Sequence, residues 1–483
     1  MTTQSRALDE LAERARFELD CVNYPAREWV APRRFEGEPV LDVAIVGGGQ
    51  NGLAVAFRLL RERVTNFRIF DRSAAGSAGP WRSFARMATL RTPKHVSGPE
   101  LGTAALSVRA WYEAKNGPEA WANLHKIGRE EWHDYVVWLQ RTIGIETTSD
   151  ANVTDIEPLA DGILALHVTI AGKAERVLTR NVVHATGIEG SGRWLMPQII
   201  TQALPRERYA HTADAIDFEA LRGKRVAVIG AGASAFDNAA CALEHGAIVD
   251  VFARRRRLPA VNPNRWIEFA GFMRHFVDLS DAQKWSFMTT FLAMNQPPPQ
   301  ETFDRCARFG TFDLHLGSPI ESLAMDGGRI RLATPQMSAH YDFLIVGTGF
   351  SVDLSTRPEL ARFADKIALW QDRYTVPAGE ESPLLGKYPY LTDAFQFTEK
   401  VPGEAPYLAR IYSHTFGAMP SLGGAAGISQ LKFSTDRIAF GITRQLFLDD
   451  AAGYLPALKS YDVVELDISA FEANRAKRAE KVA

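Results

Sequence analysis

Two stretches of this 483-residue chain share one pattern: a short apolar run, a glycine cluster, a helix-length segment and a second apolar run. The first reads "VLDVAIVGGGQNGLAVAFRLLRERVTNFRIFDRS", the second "GKRVAVIGAGASAFDNAACALEHGAIVDVFARRRR". A continuous apolar run such as Val43 to Val46 suits a strand buried on both faces of a parallel sheet. The first stretch predicts a strand over Val43–Val46, a helix over Leu53–Arg61 and a strand over Phe67–Phe70. The second predicts a strand over Val226–Ile229, a helix through Leu243 and a strand over Ile248–Phe252. Two β-α-β units of this kind imply an α/β chain with two Rossmann-like, doubly wound, mostly parallel dinucleotide-binding domains.

The glycines fall where a bound pyrophosphate requires them. Gly47 allows the tight turn, Gly49 admits the phosphates to the backbone, and Gly52 lets helix and strand pack closely. Gln50 and Asn51 lie inside this turn. In the second copy the three places are Gly230, Gly232 and Ala235, with Ala233 and the Ser234 hydroxyl aligned with the phosphates. The helix start offers unpaired N–H groups and a positive dipole end. A ribose then meets the end of the second strand. Asp71 follows Gly47 by 71 − 47 = 24 positions, and Arg254 follows Gly230 by 254 − 230 = 24. Asp71, with Arg72 beside it, suits the ribose of FAD or NAD and repels a 2′-phosphate. Arg254, helped by Arg255 and Arg256, suits that phosphate and so selects NADPH.

The run of four arginines at 254–257 also raises a nucleic-acid reading. With 55 Lys+Arg against 57 Asp+Glu the chain has no global field to hold a polyanion, and no further motif supports one. Its 46% apolar content is enough for two or three domains. Only Cys21, Cys241 and Cys306 occur, widely spaced, so neither a metal cage nor a redox dithiol is expected. The charged N-terminus is no signal sequence, and no apolar run reaches the roughly 18 residues that cross a bilayer. A cytoplasmic protein follows, and the sequon at Asn152 reads as chance.

Residues 1–38 predict a helix with one apolar face (Leu8, Leu11, Ala12, Ala15, Leu19), then a proline-rich extended arm. Residues 39–200 and 336–483 read as the two parts of a discontinuous first domain, the latter ending in an amphipathic helix over 429–448. Residues 201–335 form the second, carrying an aromatic-rich helical insertion at about 262–310. That insertion, with Trp266, Phe269, Phe272 and Phe276, is expected to cap the substrate pocket.

Together these motifs resemble the class B flavoprotein monooxygenases, the flavin-containing, N-hydroxylating and Baeyer–Villiger enzymes. The resemblance spans roughly residues 40–450. It rests on "GGGQNG", "AGPWRS" (Ala78–Ser83), "VHATG" (Val183–Gly187), "GAGASAFD" and "DFLIVGTGF" (Asp342–Phe350), where Gly347 replaces the family's alanine. It implies FAD at the first turn and NADPH at the second. It further implies a flavin hydroperoxide that passes one atom of molecular oxygen to a small-molecule substrate, and a homo-oligomer. By resemblance Trp81 and Arg82 lie beside the flavin, while Thr186, Gly187, Thr348 and Gly349 shape turns against the cofactors. Gly423 and Gly424 let a helix approach the flavin, and Thr92 and Lys94 are the catalytic candidates at the nicotinamide–flavin junction.

Departures refine this. Of the Baeyer–Villiger signature only His211 remains, with Pro205, Glu207 and Ala215 at the other places, which turns the expectation from carbonyl toward nitrogen or sulfur oxidation. Thr92 is followed by Pro93 where an asparagine is usual. Pyridine nucleotide–disulfide reductases share the two glycine turns but need the cysteine pair absent here. Two alternatives stay open: an NADPH-dependent FAD reductase that transfers no oxygen, and a non-catalytic dinucleotide-binding protein.

Overall fold

The computed structural model describes residues 3–22, 27–96, 98–424 and 426–480. The expected arm begins with Asn23–Ala26, which lie outside the described residues. The first sheet has seven strands: β1 (Arg33–Phe35), β2 (Glu38–Val46), β3 (Phe67–Phe70), β4 (Ala151–Pro158), β5 (Leu164–Ile170), β6 (Lys173–Gly187) and, from far along the chain, β17 (Ile411–Thr415). β3, β2, β6 and β17 run parallel. β6 is long enough to join the antiparallel and parallel parts of this sheet. Its exposed start pairs antiparallel with β5, and its end, buried from Val177 to Ala185, pairs with β2 and β17.

β7 (Gly192–Trp194) and β16 (Phe350–Val352) pair antiparallel where the chain leaves the first unit and returns to it. Between them lies the second sheet, all parallel: β8 (Tyr209–His211), β9 (Arg225–Ile229), β10 (Ile248–Ala253), β11 (Phe312–Leu316) and β15 (Phe343–Val346). A small antiparallel sheet of β12 (Ser322–Asp326), β13 (Arg329–Ala333) and β14 (Ser338–Tyr341) precedes β15. β15 lies between β9 and β8, so strand pairing carries the second unit to Val346 rather than to the expected 335. The expected fold class is the one observed: α/β, two Rossmann-like units, the first discontinuous, and a helical insertion in the second.

Both glycine turns feed helices laid on their sheets, Gln50–Arg61 and Ala233–Glu244. The second buries Ala235, Ala239, Ala240 and Ala242, whose short side chains let it lie close to the strands. The long C-terminal helix, Leu431–Lys459, packs on the first glycine helix and adds Ile438, Ile442 and Leu446 to the first core. Arg180, fully buried in β6, clamps it there: its guanidinium bonds Asp449 at 3.2 Å and Asp450 at 3.1 Å on the helix, and Asp42 at 3.4 Å on β2. One cation shared among three carboxylates leaves Asp42 underserved. Burial outweighs Arg180 and pushes the Asp42 carboxyl up to about 6.

The insertion forms four helices, Pro263–Trp266, Ala270–His275, Asp281–Met294 and Gln300–Ala307. Phe272, Phe276, Trp285 and Met288 pack with Trp370, Tyr388 and Met419, while Phe303 and Cys306 of the last helix pack on the second glycine helix. The insertion thus spans the returning first-unit segment and the second unit. Trp266 and Phe269 stay about half exposed, so they are not core.

Candidate active site

The two glycine turns are built alike. Val46 pairs with His184 on the neighbouring parallel strand, and Ile229 pairs with Val346. One residue on, Gly47 (φ +107°) lies so close to its neighbour strand that a Cβ would sit 2.5 Å from the Ala185 carbonyl oxygen. At Gly230 (φ +119°) a Cβ would sit 2.2 Å from that of Gly347. Only glycine fits either place. The A-T-G-like elements therefore act as the walls against which the turns fold. Gly187 and Gly349, both left-handed, end them facing open space.

The pair behind each turn is exchanged. In the first unit the helix contributes Gly52 and the strand Ala185; in the second the helix contributes Ala235 and the strand Gly347. A Cβ on Gly347 would lie 2.7 Å from the Ala235 methyl. The departure from the family's alanine is thus compensated by the alanine of the second motif.

At the first turn Asp71, buried at the end of β3, accepts from the Gly48 N–H at 2.7 Å and the Ser73 N–H at 2.8 Å. Each oxygen keeps lone-pair capacity for a ribose hydroxyl. The buried Asn51 Nδ2 has no protein partner, and neither glycine helix has a side-chain cap. Orphaned donors at a helix start are what an anionic ligand satisfies. The "AGPWRS" loop folds back over this turn: a Cβ on Gly49 would lie 3.7 Å from Gly79, and Trp81 meets Trp132 edge-on at 6.4 Å. Trp132, buried, donates to Gln50 Oε1 at 3.0 Å and so orients that side chain toward it.

At the second turn the equal count of 24 residues does not mean equal register. Val46 pairs with Phe70 but Ile229 pairs with Phe252, so the residue aligned with Asp71 is Ala253, and Arg254 aligns with Arg72. The acid position holds a methyl, which cannot repel a 2′-phosphate, and the exposed Arg254 stands next to it. Arg255 donates to Asn295 Oδ1 of the insertion at 3.2 Å.

Other expected residues lie differently. Lys94 donates to the carbonyls of Trp121 at 2.6 Å and Leu124 at 2.5 Å, so its ammonium staples a loop. Arg72 is paired with Glu189 and Arg82 with Asp134, both guanidiniums at the surface. Thr92 is half-buried. The Thr348 hydroxyl donates to the Leu195 carbonyl, and Thr186 Oγ1 bonds His184 Nε2 at 3.0 Å. Gly423 (φ +78°) is pressed against Phe276 of the insertion, where a Cβ would lie 2.6 Å from the ring, and Gly424 follows at φ +141°. His211 is buried against Trp194 and bonds the Gly349 carbonyl at 3.1 Å, and burial lowers its pKa.

Sequence reasoning passed over the buried Glu359, which bonds His184 at 2.8 Å behind the first wall and accepts from Arg357 at 2.8 Å. Burial opposes its charge, yet these partners hold its carboxyl at about 2. The pairing joins positions 175 apart, which no local spacing reveals. Beside the insertion lies a cleft of about 470 Å³ walled by Arg91, Lys126, Arg265, Gln296 and Phe303. A groove of about 540 Å³ lies at the opposite end of β2 from the glycine turn.

Residues 44–271 match the model of the pyridine nucleotide-disulphide oxidoreductase family. The chain is 40% identical over 462 residues to a FAD-dependent urate hydroxylase of Xanthomonas campestris pv. campestris, covering 95% of this chain and 97% of that one. The chain belongs to that hydroxylase's family. Among solved structures, ornithine N-hydroxylase of Kutzneria sp. 744 is similar with a TM-score of 0.65 at 19% identity, over 84% of this chain and 100% of that one. Ornithine hydroxylase of Pseudomonas aeruginosa is similar with a TM-score of 0.66 at 17% identity, with the same shares. At that identity the likeness is one of fold. It agrees with the class B resemblance: this is an enzyme of the flavin-dependent monooxygenases.

Membership of the urate hydroxylase family also fits the cysteines. All three are free; Cys306 donates to the Phe236 carbonyl at 3.4 Å in the second core, and burial pushes its thiol up to about 12. A thiol so placed is no redox nucleophile. Among the described residues no helix is long and apolar enough to cross a membrane.

Proposed function

We propose that this chain is an NADPH-using, FAD-dependent monooxygenase that hydroxylates urate or a closely related oxidised purine. The observation that carries the reading is 40% identity with the urate hydroxylase over nearly the whole of both chains. The atom oxygenated is then a ring carbon or nitrogen. Bound FAD supplies the oxygen-activating chemistry, with NADPH as its reductant. The residues supply the rest. Gly47, Gly49 and the first N–H groups of the 50–61 helix cradle one pyrophosphate, Asn51 Nδ2 gives it a donor, and Asp71 accepts from the ribose. Gly230, Gly232 and Ser234 serve the second, and Arg254 takes the 2′-phosphate. The insertion, pressed on Gly423 through Phe276, excludes water from the site.

The test is NADPH oxidation by the purified yellow protein. It should rise on adding urate, with little hydrogen peroxide released. Oxidation indifferent to every oxidised purine would remove the substrate assignment. We also read the chain as cytoplasmic and homo-oligomeric. Free cysteines support the first. The second rests on Val463, Val464, Leu466 and Phe471, exposed by 59, 84, 77 and 65%.

A further inference from the structure

The segment that follows the first unit lies along the second glycine helix. Arg91 Nη2 donates to Asp237 Oδ2 at 2.8 Å, and Thr302 Oγ1 of the insertion donates to Oδ1 at 3.0 Å. Arg265 Nη2, also from the insertion, donates to the Arg91 carbonyl at 2.8 Å. One helical turn on, Cys241 Sγ reaches the Arg86 carbonyl at 3.8 Å. Asp237 is only 2% exposed.

Three bodies thus meet at one buried carboxylate: the loop that carries Thr92, the helix whose first turn faces the second nucleotide, and the insertion. A buried ion pair is a poor source of stability, because desolvation offsets its attraction and apolar side chains would pack as well. In some proteins such a pair instead fixes one arrangement among several. We infer that Arg91 and Asp237 are positioning residues that lock the Thr92 loop and the insertion to the second nucleotide site. NADPH seated on the Gly230–Ala235 turn is then held in register with the flavin. The inference rests on the two-cofactor reading above and adds to it the joint that aligns the cofactors.

The test uses the FAD-loaded enzyme without oxygen and needs no purine substrate. NADP+ affinity, the rate of flavin reduction by NADPH and the melting temperature are measured for wild type, Arg91→Met/Asp237→Leu, Thr302→Val and Arg91→Lys. The double variant replaces the pair by apolar side chains and should keep its melting temperature. It should bind NADP+ within about threefold of wild type yet reduce its flavin about tenfold more slowly or worse, because misplacement by an ångström costs rate steeply. Thr302→Val should show a smaller loss, and Arg91→Lys should recover part of the rate. An unchanged reduction rate in the double variant would show the pair to be structural and overturn the inference. Wild-type enzyme that NADPH cannot reduce would instead overturn the two-cofactor reading itself.

Discussion

The proposed coenzyme choice turns on one side chain, Arg254. The ladder places Ala253 where the first unit has Asp71, with Arg254 next in line. Arg254→Ala should raise the NADPH KM about tenfold or more and leave the NADH KM nearly unchanged, since a charge-assisted phosphate bond contributes about 1.5–3 kcal/mol. Ala253→Asp should discriminate in the same direction by repulsion. Steady-state kinetics with both coenzymes checks the pair, and equal effects on both coenzymes would contradict it. Asp42 carries a pH signature. Its folded carboxyl sits at about 6, above its ordinary 3.8, so folding takes up a proton there. That contribution is fully present below about pH 4 and is lost as pH rises through 6. Asp42→Asn should therefore flatten the fall in melting temperature between pH 4 and pH 6, which thermal scans across that window would show. Glu359 behaves oppositely: its stabilisation is present above about 4.5 and fades as pH falls toward 2.

At the scale of elements the packing of the second glycine turn explains why position 347 holds glycine. Gly347→Ala alone drives a methyl into Ala235, and overpacking of that kind costs about 1–3 kcal/mol. Adding Ala235→Gly recreates the first unit's arrangement and should restore most of the loss, as a denaturation double-mutant cycle would reveal. This much was legible in sequence, because the strand–turn–helix motif is local and its periodicity dictates both units. What was not legible is set by pairing between distant segments. Equal residue counts concealed a one-residue difference in strand register, visible only from the partners of Phe70 and Phe252. Lys94 looked available in a loop, but its ammonium meets carbonyls about 30 positions on. The C-terminal helix runs to Lys459 rather than 448: its buried positions end at Leu446, and the exposed Leu455 and Leu458 of its last turns break the amphipathic pattern.

Across the whole molecule, two nucleotide-binding units are held in one arrangement by the β7/β16 link and the insertion. The Arg180 clamp ties the long C-terminal helix to the first sheet. Arg180→Met leaves Asp42, Asp449 and Asp450 without their shared cation, and breaking a buried ion pair from one side costs about 3–5 kcal/mol. The variant should unfold at clearly lower urea concentration. Among the described residues beyond Ser460, the apolar side chains stand about half exposed or more. A chain ended there should elute as a smaller species in light-scattering chromatography if a second copy covers them. The central claim, oxygen transfer to a purine by an NADPH-reduced flavoenzyme, is tested most directly by turning over urate under 18O2 and weighing the product. One 18O atom per product molecule is expected, with NADPH consumed in equal amount. Product without the label, or NADPH recovered entirely as hydrogen peroxide, would contradict it.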